Sequence, residues 1–206
     1  MSSAVVAAAL LGAASTLLLV GEGDDQRPNA VDVGFAQDMT AHHQQGVAMA
    51  TLARERSRAP GIRQLAFDIE HVQTEQMGRM RAWLGLWSQP ISPVGEHMGW
   101  MAGPGHEHGR ATGHRADVPA MPGMATTREL EHLRSLSRHE FDAYFLQLMI
   151  RHHQGGAPMM RAAAERAAVG EVRNLSARML DSQTAEVELM KNMLAQRGSA
   201  PLPSPN

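Results

Sequence analysis

The sequence predicts an all-α protein, a four-helix bundle made of two copies of one helical hairpin, preceded by an apolar N-terminal helix and divided by a His/Met-rich linker. Three observations lead to it. First, "MTAHHQQGVAMA" at residues 39–50 returns as "MIRHHQGGAPMM" at 149–160, an offset of 110 residues. At that offset the register runs on without a gap: Phe35 falls on Phe145, Met39 on Met149, His42 and His43 on His152 and His153, Met49 on Met159, Leu65 on Leu175, Gln73 on Gln183, Met80 on Met190 and Leu84 on Leu194. Matches on both sides of a break mean that the repeated unit is a hairpin rather than a single helix. Second, Leu65, Ile69, Val72, Gln73, Gln76, Met80 and Trp83 keep the three-and-four spacing of a helix's buried stripe. Third, aromatic residues are only 4% of the chain while methionines number 15, so the core is filled by Leu, Ala, Val and Met, a composition that favours helices.

Taken in order, residues 4–20 ("AVVAAALLGAASTLLLV") form an uncharged run, short for a bilayer span and long for a signal-peptide core. No Lys or Arg precedes it and no small-x-small cleavage site follows, so the expectation is an exported chain, anchored in the membrane through residues 4–20 and facing outside the cytoplasm, or secreted or periplasmic if that segment is cleaved. The first hairpin (31–88) reads as a helix over about 32–57, a break at "RAPG" and a helix over about 60–87, with Pro60 at a first helical position, where a missing N–H costs nothing. Residues 89–126, rich in Gly, Pro, His and Met and without periodicity, read as a mobile linker. Thr126 and Glu129 then match a capping box for a short helix whose apolar side is Leu130, Leu133 and Leu136. The second hairpin opens at "SRHEF", where Ser137 and Glu140 match the same signature, and turns at "AVGE", where Gly170 suits a helix C-terminal cap. Its last helix reaches about 196, and residues 198–206 read as a disordered tail. The organisation is thus an N-terminal segment (1–30), one bundle domain (31–197) containing the linker, the short helix and the second hairpin (127–197), and a tail. Helices of this length are roughly 39 Å long, enough for each hairpin to cover the other's apolar stripe.

Composition narrows the chemistry. A formal charge of −2 gives no reason to expect nucleic acid, and the absence of cysteine excludes disulfides, thiolate zinc sites and cysteine-ligated clusters. Any metal is therefore held by His, Met, Asp or Glu. Adjacent residues on a helix diverge by about 100°, so neither His42 with His43 nor His152 with His153 can chelate one ion as a pair at i and i+4 would. Each needs other partners. Met39 precedes them by three and four residues, as Met149 does in the second copy, and Met49 and Met159 lie near the same stripe. Thioether with imidazole favours copper, above all monovalent copper; zinc or iron remain alternatives, and calcium or magnesium would need carboxylates that this face lacks. In the linker, His97, His106, His108 and His114, with Met98, Met101, Met121 and Met124, form a looser soft-ligand set. Packing is the competing reading, since helical Met at this spacing is usually core, but packing alone does not require polar imidazoles at two equivalent positions.

Enzymatic motifs are absent. A di-iron bundle needs Glu-x-x-His pairs on paired helices, whereas the only such pair, Glu129 to His132, lies in the short helix. No catalytic residue is expected, and no His-Glu-x-x-His or phosphate-binding glycine loop occurs.

The segments "DVGFAQDMTAHHQQGVAMA" and "IRQLAFDIEHVQTEQMGRMRAWLGLW", followed by "MPGMATTRELEHL" and "FDAYFLQLMIRHHQGGAPMM", resemble the bacterial domain-of-unknown-function 305 (DUF305) family over about residues 31–197. The resemblance implies a ferritin-like helical bundle, export and, for some members, copper binding and copper tolerance, with Met39, His42, His43, Met149, His152 and His153 as the matching ligand candidates. Two departures stand out. Gln76 occupies a place where the family, and Glu186 in the second copy, has Glu, and Pro158 interrupts the second His-His helix, where it is expected to bend it. The expectation is an extracytoplasmic copper-binding bundle that buffers, transfers or confers tolerance to copper. The alternatives are a metal-free interaction bundle and a ferritin-like metal oxidase. Self-association of the bundle is left open.

Overall fold

The computed structural model describes residues 27–101 and 121–203, and all regular structure among them is helical. Asn29 starts the first helix, α1 (Ala30–Arg56): its side chain accepts from the amides of Val31 and Asp32 while Asp32 accepts from the Asn29 amide, a reciprocal box that satisfies donors a helix start leaves bare. Asp32 also accepts from the amides of Ala168 and Val169, so one buried carboxylate fastens the start of the last helix to the start of the first. A short connection leads to α2 (Pro60–Leu86), with Pro60 in its first turn as expected. After a 3-10 turn at Gly99–Met101 come α3 (Thr127–Ser135), α4 (Arg138–Arg166) and α5 (Gly170–Ala195). The Thr126–Glu129 box forms at α3, and Leu133 beneath it is fully buried.

α1 packs along α2, α4 along α5, and the two hairpins meet chiefly through α1 and α4. The core falls into two apolar clusters. One gathers Met49, Ile62, Leu65, Phe141, Phe145, Met149, Met190 and Leu194; the other gathers Phe35, Met39, Met80, Leu84, Met159, Met160, Val172 and Met179. Each draws on all four long helices, and along both α1 and α4 the histidine pairs lie between them. Burying one such apolar side chain contributes about 1.5–3 kcal/mol. An imidazole with a bare polar atom contributes less and costs roughly 1–3 kcal/mol where that atom has no partner.

Several expectations are corrected. Ser137 makes no side-chain cap, and Arg138 opens α4 at φ 52°, a left-handed geometry in which the Ser137–Glu140 box does not close. Gly170 is the first residue of α5, while α4 ends in extended backbone at Ala167. Pro158, the site of the expected bend, lies inside α4, which stays helical for two more turns. Val72 is exposed. The described flanks of the linker are fastened: Gln37 donates to the carbonyl of Pro90, Trp100 lies where a Cβ on Gly34 would collide with it and edge-on to Phe35, and Met121 is buried in the second cluster. The start of the tail is likewise docked, its Ala200 carbonyl accepting from Gln147 and Leu202 resting on the first cluster. Residues 4–20 and His106, His108 and His114 lie outside the described residues. No described helix is long and apolar enough to cross a membrane.

Candidate metal centre

Where α1 and α4 cross, histidine pair faces histidine pair. A Cβ on Gly46 of α1 would stand 3.1 Å from Cε1 of His152, and one on Gly156 of α4 would stand 3.2 Å from Cε1 of His42. These reciprocal contacts mark a pseudo-two-fold axis between antiparallel helices, and the two glycines, equivalent in the repeat, make room for the rings. Across that axis the rings of His42 and His152 stack with centroids 3.8 Å apart and planes inclined by 32°. All four histidines are at most 1% exposed.

The four rings share one hydrogen-bonding pattern. Nε2 of His42 donates to the carbonyl of Pro122 (3.2 Å), Nε2 of His152 to the carbonyl of His42 (3.0 Å), Nε2 of His43 to Oε1 of Gln76 (2.8 Å) and Nε2 of His153 to Oε2 of Glu186 (2.7 Å). Oxygen acceptors require the proton on Nε2, so a neutral ring leaves Nδ1 as a bare lone pair. All four Nδ1 atoms are buried without a hydrogen-bond partner. Burial, reinforced by neighbouring imidazoles, lowers the His42 pKa to about 3, with the bond to Pro122 opposing. The same desolvation takes His43 to about 4, against the bond to Gln76, and holds His152 well below its usual value. Neutral imidazoles with free lone pairs are the form in which histidine binds metals.

The outer partners follow the repeat. Gln76 and Glu186 stand at equivalent places and each holds the second histidine of its own hairpin, so one half has a neutral partner and the other a carboxylate. Burial pushes the Glu186 carboxyl up, but the bond from His153, its attraction to His153 and His43 and the Ser182 hydroxyl outweigh that, leaving it lowered and ionised. A carboxylate on the far nitrogen orients a ligand imidazole and raises its basicity.

The two central histidines are held differently, because a single loop serves them. Gln45 grips residue 125 from both sides, its Oε1 accepting from the Ala125 amide (2.6 Å) and its Nε2 donating to the Ala125 carbonyl (2.9 Å). At the equivalent place α4 has Gly155, and a Cβ there would collide with Pro122 and Gly123 of the same loop. The difference between "HHQQG" and "HHQGG" is thus a grip on one helix and a clearance on the other, which together put the Pro122 carbonyl over His42. Behind the loop, Arg151 makes a two-pronged pair with Glu129 (2.7 Å each), tying α3 to α4 beside His152.

Met39 and Met159 share one apolar cluster and Met49 and Met149 the other, so thioethers from both copies flank the imidazole layer on both sides, all of them at most 1% exposed. Among the described residues, no three His, Asp or Glu side chains gather as a ready metal site. His97 stands apart from the pairs: its Nδ1 contacts Oδ1 of buried Asp38 (2.6 Å), whose other oxygen accepts from the Met98 amide and the Trp100 indole. It clasps the linker to α1. Residues not singled out from sequence as site residues are Gln45, the Pro122 carbonyl and Gln73, whose Oε1 lies where a Cβ on Gly46 would clash with it, and the signal for Gln73 is its equivalence with Gln183 in the repeat.

The sequence pattern "Domain of unknown function (DUF305)" matches residues 32–194. The chain belongs to the DUF305 family. Among solved structures, this DUF305 chain is similar to a DUF305 protein of Streptomyces coelicolor described as secreted, at 38% identity and a TM-score of 0.74, covering 84% of this chain and 96% of that one. A DUF305 fragment from Deinococcus radiodurans is 32% identical, with a TM-score of 0.65 over 82% of this chain and 98% of the fragment. CopM in its Cu(II)-bound form is 27% identical, with a TM-score of 0.61 over 80% of this chain and 96% of CopM. None of the curated proteins compared with the chain matches it.

Proposed function

We propose that this DUF305 protein is an extracytoplasmic copper-binding bundle, which takes up copper through His42, His43, His152 and His153 with Met39, Met49, Met149 and Met159, and serves to buffer or transfer the ion. The observation that carries the reading is the set of four buried, unpartnered Nδ1 lone pairs on rings whose Nε2 protons are already committed to oxygens. Orphaned acceptors at the centre of a core are destabilising unless something electron-poor satisfies them. The donor set selects the ion: imidazole suits copper in both oxidation states, thioether suits the monovalent state, and the carboxylate beside the rings among the described residues, Glu186, is engaged by His153. CopM, a structural neighbour, has been seen with Cu(II), which supports a copper reading over zinc or iron. Export is supported by the description of the Streptomyces coelicolor neighbour as secreted and by the apolar run at residues 4–20. Residues 31–197 would then act as one domain, with His97 as a clasp rather than a ligand.

The test is titration of residues 27–206 with monovalent copper under a competing chelator, beside the variant His42→Ala/His43→Ala/His152→Ala/His153→Ala. Stoichiometric binding by the wild type and a loss of at least about a hundred-fold in the variant are expected, since ligands as well as their supports are removed. Equal affinities would remove the proposed site.

A further inference from the structure

Gln73 makes a second, unexplained demand on this core. It is 2% exposed, and both polar ends of its carboxamide, Oε1 and Nε2, are buried with no hydrogen-bond partner. It lies one turn before Gln76 on the same face of α2, the face that holds His43. A Cβ on Gly46 would clash with Gln73 Oε1 and would come within 3.1 Å of His152 Cε1, so the carboxamide, the glycine and the edge of the His152 ring converge on one spot. Glycine inside a helix is unfavourable, and so is a dry amide without partners. The His152 ring accounts for the glycine; an apolar side chain at position 73 would relieve the amide, yet the chain keeps Gln. The second copy repeats the arrangement in part: Gln183 is 6% exposed with an unpartnered Oε1.

Resting on the copper reading above, we infer that Gln73 is a further residue of the metal site, supplying an oxygen donor that lets the site hold divalent as well as monovalent copper. Imidazole and thioether alone satisfy the soft monovalent ion, which gains little from an amide oxygen. The divalent ion is harder and takes more ligands, so an amide oxygen, bound directly or accepting from the ion's water, stabilises it selectively. A half-turn of the amide exchanges its two ends, so the inference does not depend on which end faces the rings.

The experiment compares wild type, Gln73→Leu and Gln73→Glu by competition titration with Cu(I) and with Cu(II), together with thermal unfolding of each metal-free protein. Gln73→Leu should lose about ten-fold or more in Cu(II) affinity while Cu(I) affinity changes by less than about three-fold, as loss of a supporting polar residue does. Its metal-free form should melt no lower than wild type, because an orphaned amide has been removed. Gln73→Glu, which keeps an oxygen, should retain Cu(II) affinity. Unchanged Cu(II) affinity in Gln73→Leu, an equal loss for both ions, a lowered metal-free melting temperature, or a Glu variant as weak as the Leu variant overturns the inference. Failure of the copper reading itself is recognised separately, because the wild type then binds neither ion stoichiometrically.

Discussion

At the scale of the residue, the decisive distinction is between the two nitrogens of one ring. Four histidines have Nε2 on Pro122, Gln76, Glu186 and the His42 carbonyl, and Nδ1 on nothing. The sequence supplied the rings and their duplication; it could not say which nitrogen would be free, because that depends on a loop carbonyl eighty residues away and on side chains of the partner helices. It did flag Gln76 and Glu186, as a departure, and left Gln73 in an apolar stripe, because spacing records where a side chain points and not whether its amide finds a partner. The buried state of these rings makes metal-free stability depend on pH. Unfolded imidazoles take up protons below about pH 6.5, whereas folded His42 and His43 do so only near 3 and 4. Below pH 6.5 the unfolded chain therefore binds more protons, and stability falls with pH. The lowered Glu186 carboxyl adds to the loss at the acid end of the window. The metal-free protein should melt progressively lower from pH 7 to pH 4, while the quadruple alanine variant loses less over pH 6.5 to 5; parallel curves in thermal scans would contradict the assignment.

At the scale of the element, the helices were legible and their ends were only partly so. Phase and composition marked the four long helices because tertiary packing selects the same stripe that the three-and-four spacing displays. The box at Thr126 was legible because both partners are local. Ser137 was misleading: the left-handed Arg138 sets the entry angle of α4, and that angle answers to packing rather than to the Ser-x-x-Glu pattern. The flanks of the linker carry no sign of order in the sequence because their anchors, Gln37, Asp38 and Gln45, all lie on α1 and leave no local signature. The loop at Pro122 and Gly123 is the most exacting of these connections. Gly123 has φ 80°, and a Cβ on it would lie 2.6 Å from the Arg151 carbonyl, while Gly155 faces it from α4. Gly155→Ala should cost about 1–3 kcal/mol by overpacking. Denaturant unfolding measures that loss, and because the loop can yield only by moving Pro122 off His42, copper affinity should fall with it. A variant as stable as wild type would show that the loop is not wedged against α4.

At the scale of the molecule, two hairpins joined through α1 and α4 enclose a polar layer between two apolar clusters. The clusters hold the fold without the layer, so the metal-free protein should be folded, and an ion bound only by the native state should add stability by mass action. At a free copper concentration a hundred times the dissociation constant the gain is about 2.7 kcal/mol. The copper-loaded protein should melt several degrees higher, a chelator should reverse the change, and the quadruple alanine variant should show neither effect. An equal shift in that variant would assign the copper to other groups.

The inequality of the two halves has an electrostatic outcome. With imidazoles that bind through Nδ1 and keep the Nε2 proton, and thioethers for the rest, the ionised Glu186 is the one formal charge among the described groups proposed to surround the ion. A monovalent ion would bring that interior to neutrality, whereas a divalent ion would leave one positive charge in a medium that screens poorly. Had the first copy also carried Glu in place of Gln76, the balance would have favoured the divalent state. One amide where its twin is a carboxylate would thus tilt the couple of a copper ion bound there towards reduction.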